Sequence, residues 1–263
     1  MLLLKLALVA ATVLLSSLAA RRFGHAVGGT IAGMPMIAGP IIGFVLWQET
    51  PERTREIALA TLACLPAAMV HMVSFAWGAT RWRWPFALLG ANTAFLAAGW
   101  SLVALDLPVV LALAFALAAP ALAVRSLPRL HVPAVAVHIP RIELGLRVLA
   151  AAAMAWLLMR SAGVLPPGLS GLLLALPIAG NVLPCFTLPR HGAAATVALI
   201  AGFARGVYGF AAFFVMLYLA LGTLPPALAY GLAWAAAASA ALAVYAAAQR
   251  ARRRQTARLS TSA

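Results

Sequence analysis

Arg205 is a solitary cation about fourteen residues into an otherwise apolar run, residues 192–221. At ~1.5 Å per residue it sits roughly 20 Å along a helix, too deep for its guanidinium to reach an interface easily. A guanidinium at that depth is suited to holding an anionic group of a solute. The plainer alternative starts the span near Gly206. It makes residues 193–204 a short re-entrant or interfacial segment and Arg205 a flanking charge. Tyr208, three residues on, shares nearly the same helix face and reads as core. His71 lies in the run 57–78 and suits packing or hydrogen bonding as well as a site. Asn181, beside Gly180, offers an amide to a solute or to a neighbouring helix.

Glycine and proline recur at matching places. Pro35, Gly39 and Pro40 fall near the centre of the run 27–48, and Pro177, Gly180 and Pro184 near the centre of the run 168–188, about 140 residues later. Such residues interrupt a membrane helix, and the freed backbone groups and helix-end dipoles then face mid-membrane. Gly24, Gly28, Gly29 and Gly33 also fit ordinary close packing of helices. The candidate solute-binding set is therefore Arg205, Asn181, Gly180, Pro177, Pro35, Gly39, Pro40 and His71.

Other chemistries lack their residues. No Asp or Glu falls inside an expected span, which argues against a carboxylate proton relay or a two-carboxylate catalyst. The sequence has no phosphate-binding P-loop, HExxH or GxSxG arrangement. Cys64 and Cys185 lie in apolar runs without a CxxC, so neither a metal site nor any cofactor is implied. An enzyme is not expected. The least favoured reading is lipid modification at the membrane surface by His131 and His138.

These residues are carried by nine apolar runs, near 2–20, 27–48, 57–78, 85–105, 108–124, 144–161, 168–188, 192–221 and 225–247. The chain is 65% hydrophobic and only 9% charged, with a mean hydropathy of +1.01. Soluble domains are about 25% charged, and several runs here reach the ~20 residues that cross hydrocarbon. The expected fold is all-α: a polytopic transmembrane bundle of about nine helices. Continuous apolar runs do not fit the alternating strands of a barrel.

The net charge of +14 does not point to nucleic acid, because the basic residues stand in short groups between the runs. Fourteen fall on one side, including Arg21, Arg22, Arg81, Arg83, Arg125, Arg129, Arg141, Arg147 and Arg190 with the C-terminal tail. Four fall on the other: Lys5, Arg53, Arg55 and Arg160. This bias places the N-terminus outside and the C-terminus in the cytoplasm. It also argues against a cleaved signal peptide over the first run, since Arg21 and Arg22 would then be external. Trp47, Trp77, Trp82, Trp84, Trp100 and Trp156 sit near span ends, at the interfacial level that aromatics favour.

The matching breaks divide the chain into a first four-helix half (1–105), a linking helix and connector (106–143), a second half (144–249) and a basic tail (250–263). Five crossings separate equivalent helices, so the halves form an inverted repeat, the plan of many secondary transporters.

The order of features over the first hundred residues resembles the GlpM-like inner-membrane proteins. These features are Lys5, the apolar run, Arg21-Arg22, Gly33-Met34-Pro35, the stretch from Glu52 to Thr61, Leu65-Pro66 and Ser74-Phe75-Ala76-Trp77. The resemblance covers about two-fifths of the chain. The second half, with Arg190-His191-Gly192 in place of the Glu-Arg stretch, would be a divergent copy. What it implies is a bacterial inner-membrane protein linked to envelope or exopolysaccharide physiology; it supplies no catalytic residues.

Two functions follow as expectations. The first is a transporter of a small, anionic solute, held between the two broken helices. The second is an accessory membrane subunit of an envelope synthesis or export system. The expected partners are the lipid bilayer, the solute, and either further copies of the chain or that envelope machinery.

Overall fold

The computed structural model describes residues 2–130, 139–162 and 167–260. His131 and His138, and with them the surface lipid-modification reading, lie outside the described residues. Ten α-helices follow in order: α1 (Leu2–Phe23), α2 (His25–Gly33), α3 (Ala38–Gln48), α4 (Pro51–Ala79), α5 (Trp84–Ala104), α6 (Val109–Ser126), α7 (Arg141–Ala162), α8 (Pro167–Ala175), α9 (Ile178–Ala220) and α10 (Pro226–Ser260). Among the described residues, seven helical stretches are long and apolar enough to cross a membrane. The chain is an integral membrane protein with an all-helical described structure.

Local signals explain the helix ends. Thr50 caps α4, its hydroxyl accepting from the Arg53 N–H at 3.2 Å, with Pro51 and Glu52 in the first turn. Glu52 there complements the positive end of the helix dipole. The single long α9 contains one non-helical residue, Gly192, at φ +78°. The chain turns there, and α9 divides into α9a (residues 178–191) and α9b (residues 193–220). Only glycine adopts that φ without strain.

Packing follows the logic of a bilayer, where small residues let helices approach and large apolar ones face lipid. On α10 the buried residues include Ala229, Ala233 and Ala237, while Leu228, Leu232 and Leu242 stay outside. On α5, Ala87, Ala91, Phe95 and Gly99 turn inward. All six interfacial tryptophans expected at span ends are exposed. Val9 and Val13 of α1 are fully buried, so this helix is an integral part of the bundle.

The centre is built by two crossed packings. In one, α2 runs alongside α9b: a Cβ at Gly29 or Gly33 would collide with the Leu199 or Phe203 carbonyl. A Cβ at Gly202 or Gly206 would collide with that of Ala26 or Thr30. In the other, α8 and α9a run alongside α4, with Gly180 seated on Met72. The packing of α2 on α9b is parallel, because its contact partners rise together in sequence.

Two differences from the sequence reading bear on the bundle's polar residues and breaks. Helix α7 begins at Arg141 rather than near 144, which brings Glu143 into its first turn. Glu143 is 7% exposed and Arg147 1%. A carboxylate therefore does lie buried in the bundle, correcting the expectation of none, and Arg147 is a buried ion-pair partner rather than a loop cation. The apolar run starts at 144 because the carboxylate of Glu143 does not fit a hydropathy pattern. Pro184 lies inside α9a and not at a break.

Candidate functional site

Two helix interruptions face each other at the core. The first spans residues 34–37, between α2 and α3, where Met34 takes an extended ψ of 164°. The second is residues 176–177, between α8 and α9a. Proline explains both, since Pro35 and Pro177 lack the N–H that would continue the ladder. The sequence interval between these two prolines is 142.

A cavity of ≈ 90 Å³ lies between the interruptions, room for only a few non-hydrogen atoms. Its lining repeats with the same interval. Gly33 and Ala175, Met34 and Leu176, and Ile37 and Ala179 lie in or directly beside the two interruptions. Leu65 and Val207, and Ala68 and Phe210, come from the crossing helices α4 and α9b. Every one of these pairs keeps the interval that separates Pro35 from Pro177. The side chains are apolar, so the polar character of the cavity comes from backbone. Ala38 and Ala179 belong to the first turns of α3 and α9a. The neighbouring N–H groups of Gly39 and Ile178 are taken by the Pro35 and Leu176 carbonyls at 2.7 and 2.9 Å, while those of Ala38 and Ala179 have no intrahelical acceptor. Both residues line the cavity.

The interval extends beyond the cavity. The Thr54 hydroxyl donates to the Thr50 carbonyl at 3.0 Å, and the Thr196 hydroxyl to the Gly192 carbonyl at 2.9 Å. Both bonds stitch the first turn of a long helix, and both threonines are fully buried.

The eight candidate residues separate into groups. Pro177 lines the cavity, and Pro35 sits within the other interruption. Gly39 stands between the lining residues Ala38 and Ile41 but faces away, against the Trp234 ring, and its carbonyl accepts from the Tyr230 hydroxyl at 3.2 Å. Pro40 is in the first turn of α3. His71 and Asn181 meet: His71 Nε2 and Asn181 Oδ1 are 3.3 Å apart, both buried. Asn181 also donates through Nδ2 to the Pro177 carbonyl at 3.1 Å. The same carbonyl accepts the Asn181 backbone N–H at 2.8 Å, so the amide side chain adds a second bond to the carbonyl that opens α9a. Gly180 sits beside this pair, where its missing Cβ admits the Met72 side chain. His71, Asn181 and Gly180 therefore hold the second interruption in shape from behind.

Arg205 is not among the cavity residues. It lies two residues from both Phe203 and Val207, about 200° round the helix from each, and so on the far side of α9b. It is half-buried, and among the described residues its guanidinium has no hydrogen bond or ion pair. Its helix is continuous from residue 193 to 220, with Arg205 near the middle.

A second cluster was not legible in the sequence. Arg147 binds Glu143 Oε1 through Nε at 3.0 Å and Nη2 at 2.6 Å, and donates through Nη1 to the Ser17 hydroxyl at 3.4 Å. Arg190 Nε lies 2.8 Å from Glu143 Oε2. The rings of His25 and His191 are 4.7 Å apart. This cluster draws on α1, α2, α7 and α9a at one end of the bundle. Its one sequence signal was the i, i+4 pair Glu143–Arg147 on an apolar helix.

Among the described residues, no group of His, Cys, Asp and Glu is placed to hold a metal ion. Comparison of the chain with protein-family models, with curated proteins and with solved structures finds no match.

Proposed function

We propose that the chain is a small-solute transporter made of two inverted halves, with the solute held in the cavity between the two helix interruptions. One observation carries this reading: the cavity is lined by matching residues of both halves at a constant interval of 142. A shared cavity at the junction of two inverted repeats is where alternating-access proteins bind their solutes, and discontinuous helices usually build it.

In this reading α1, α2 with α3, α4 and α5 correspond to α7, α8 with α9a, α9b and α10. That gives nine crossings, with α6 as the odd one. Helix lengths support it, since α4 has 29 residues and its counterpart α9b, residues 193–220, is nearly as long. The pairing of helices supports it too. Equivalent pairs, α2 on α9b and α8 on α4, exchange across the centre. The positive-charge bias then sets the N-terminus outside and the C-terminus in the cytoplasm of a bacterial inner membrane.

The apolar lining and the two helix N-termini together favour a compact, weakly anionic solute such as a short carboxylate. Each N-terminus supplies N–H groups and the positive end of a helix dipole. Arg205 lies outside this cavity and has no direct hold on a solute within it.

The test is flux of labelled short carboxylates into proteoliposomes. Ala179→Trp fills the cavity and abolishes flux, whereas Leu219→Trp, on an exposed face, leaves it unchanged. Equal flux in both variants would overturn the reading. Absence of any flux, with a stoichiometric partner recovered in mild detergent, would favour the accessory-subunit function instead.

A further inference from the structure

The polar cluster at the end of the bundle has a charge and a donor surplus that its own residues do not use. Two guanidinium groups, Arg147 and Arg190, share the single carboxylate of Glu143. Arg147 is 1% exposed. Three of its five N–H groups are engaged by Glu143 and Ser17. Among the described residues, the Ser16 hydroxyl and His25 Nδ1 have no hydrogen-bond partner, although Ser16 is 1% exposed and His25 8%. Buried groups of this kind are costly unless they are satisfied.

The backbone adds to the surplus. His25 and Ala26 open the nine-residue α2, behind Gly24 at φ +90°, with no side-chain cap. Val27 and Gly28 return their N–H groups to the Gly24 carbonyl, which leaves those of His25 and Ala26 facing outward from the helix end. The turn at Gly192 brings the start of α9b to the same end, next to His191. Hydroxyl, imidazole, guanidinium and helix N-terminus are the groups that recognise a multi-oxygen anion.

We propose that this cluster is a binding site for a phosphate group, separate from the central cavity and on the cytoplasmic side in the orientation given above. Ser16, the Nδ1–H tautomer of His25 and the unused N–H groups of Arg147 donate to its oxygens. Arg190, whose side chain is 45% exposed, guards the way in. The phosphate is supplied either by free inorganic phosphate or by the headgroup of an anionic phospholipid at this level of the bilayer. The net positive charge left by two arginines and one glutamate accepts either.

Equilibrium binding of labelled inorganic phosphate to the full chain in uncharged detergent tests the site. One saturable site per chain is expected, with half-saturation raised about tenfold or more by His25→Phe and by Ser16→Ala. The Arg190→Gln variant, altered only at the exposed rim, gives a smaller loss in the same direction. In nanodiscs, phosphatidylglycerol in place of phosphatidylcholine displaces the label if the natural source is a headgroup, and leaves it bound if the source is free phosphate. Ala179→Trp leaves binding unchanged, so failure of the transport reading does not remove this one. No saturable phosphate binding and no preference for phosphatidylglycerol would overturn the proposal. So would binding that is identical in His25→Phe and Ser16→Ala to that of the parent chain.

Discussion

His71 on α4 and Asn181 on α9a meet side chain to side chain, Nε2 to Oδ1, at 3.3 Å in a fully buried setting. Because Asn181 gives its Nδ2 to the Pro177 carbonyl, its Oδ1 is the atom left for His71, and His71 must donate from Nε2. One bond thus fixes the tautomer of a buried imidazole and ties the second helix interruption to the opposite half of the chain. Asn181→Ala leaves the His71 N–H without its acceptor, while the Pro177 carbonyl keeps the bond from the residue-181 backbone N–H. A double-mutant cycle with His71→Phe is expected to give a coupling of about 0.5–2 kcal/mol in a reversible unfolding assay in detergent. A coupling near zero would mean that the pair does not hold the interruption.

The buried ion pair makes a sharper contrast. Glu143→Gln leaves Arg147 charged, 1% exposed and without its carboxylate. The expected cost is roughly 3–5 kcal/mol, as for other buried pairs that lose one partner. Arg190→Gln removes the other cation from the same carboxylate, but from a half-exposed position, and is expected to cost about 0–1 kcal/mol. Thermal unfolding of the two variants in one detergent separates these outcomes. Replacing both members, Glu143→Leu with Arg147→Met, should recover most of the loss.

These two clusters mark what the sequence could and could not tell. Pro35 and Pro177 announced the interruptions, because a missing N–H breaks a helix wherever it stands. The cavity's position between them was legible for the same reason. Hydropathy could not show that Glu143 is buried, since a charge at a helix start reads as loop. Nor could it bring together His25 and His191, which stand in opposite halves of the chain and meet only because α2 and α9b are parallel. Arg205 drew attention through its depth along the helix. Depth does not give azimuth, and it is azimuth that separates Arg205 from Phe203 and Val207.

That azimuth has a functional consequence. If the solute is held in the central cavity, Arg205→Ala should retain flux within about twofold of the parent chain in proteoliposomes. An arginine contributing a direct charge-assisted bond to an anion would instead cost about 1.5–3 kcal/mol, or roughly ten- to a hundredfold in half-saturation. A loss of that size, with normal expression, would return Arg205 to the solute path and place the site on the outer side of α9b.

The inverted arrangement makes the most exacting prediction, because it concerns equivalent points. Thr80 ends α4 in the turn before α5, and Gly222 with Thr223 ends α9b in the turn before α10. The two turns occupy the same place in their halves, at the same interval that separates Pro35 from Pro177. Thr80 and Thr223 are both exposed. Single cysteines at these positions, in a chain whose Cys64 and Cys185 have been replaced by Ala, should react with an impermeant maleimide from opposite faces. Thr80→Cys should label only after the cytoplasmic face is opened, and Thr223→Cys in intact cells. The charge pattern gives the sign: Arg81 and Arg83 flank the first turn, whereas the second carries no cation. Labelling of both positions from one face would make the halves parallel, and the constant interval in the cavity lining would then need a different origin.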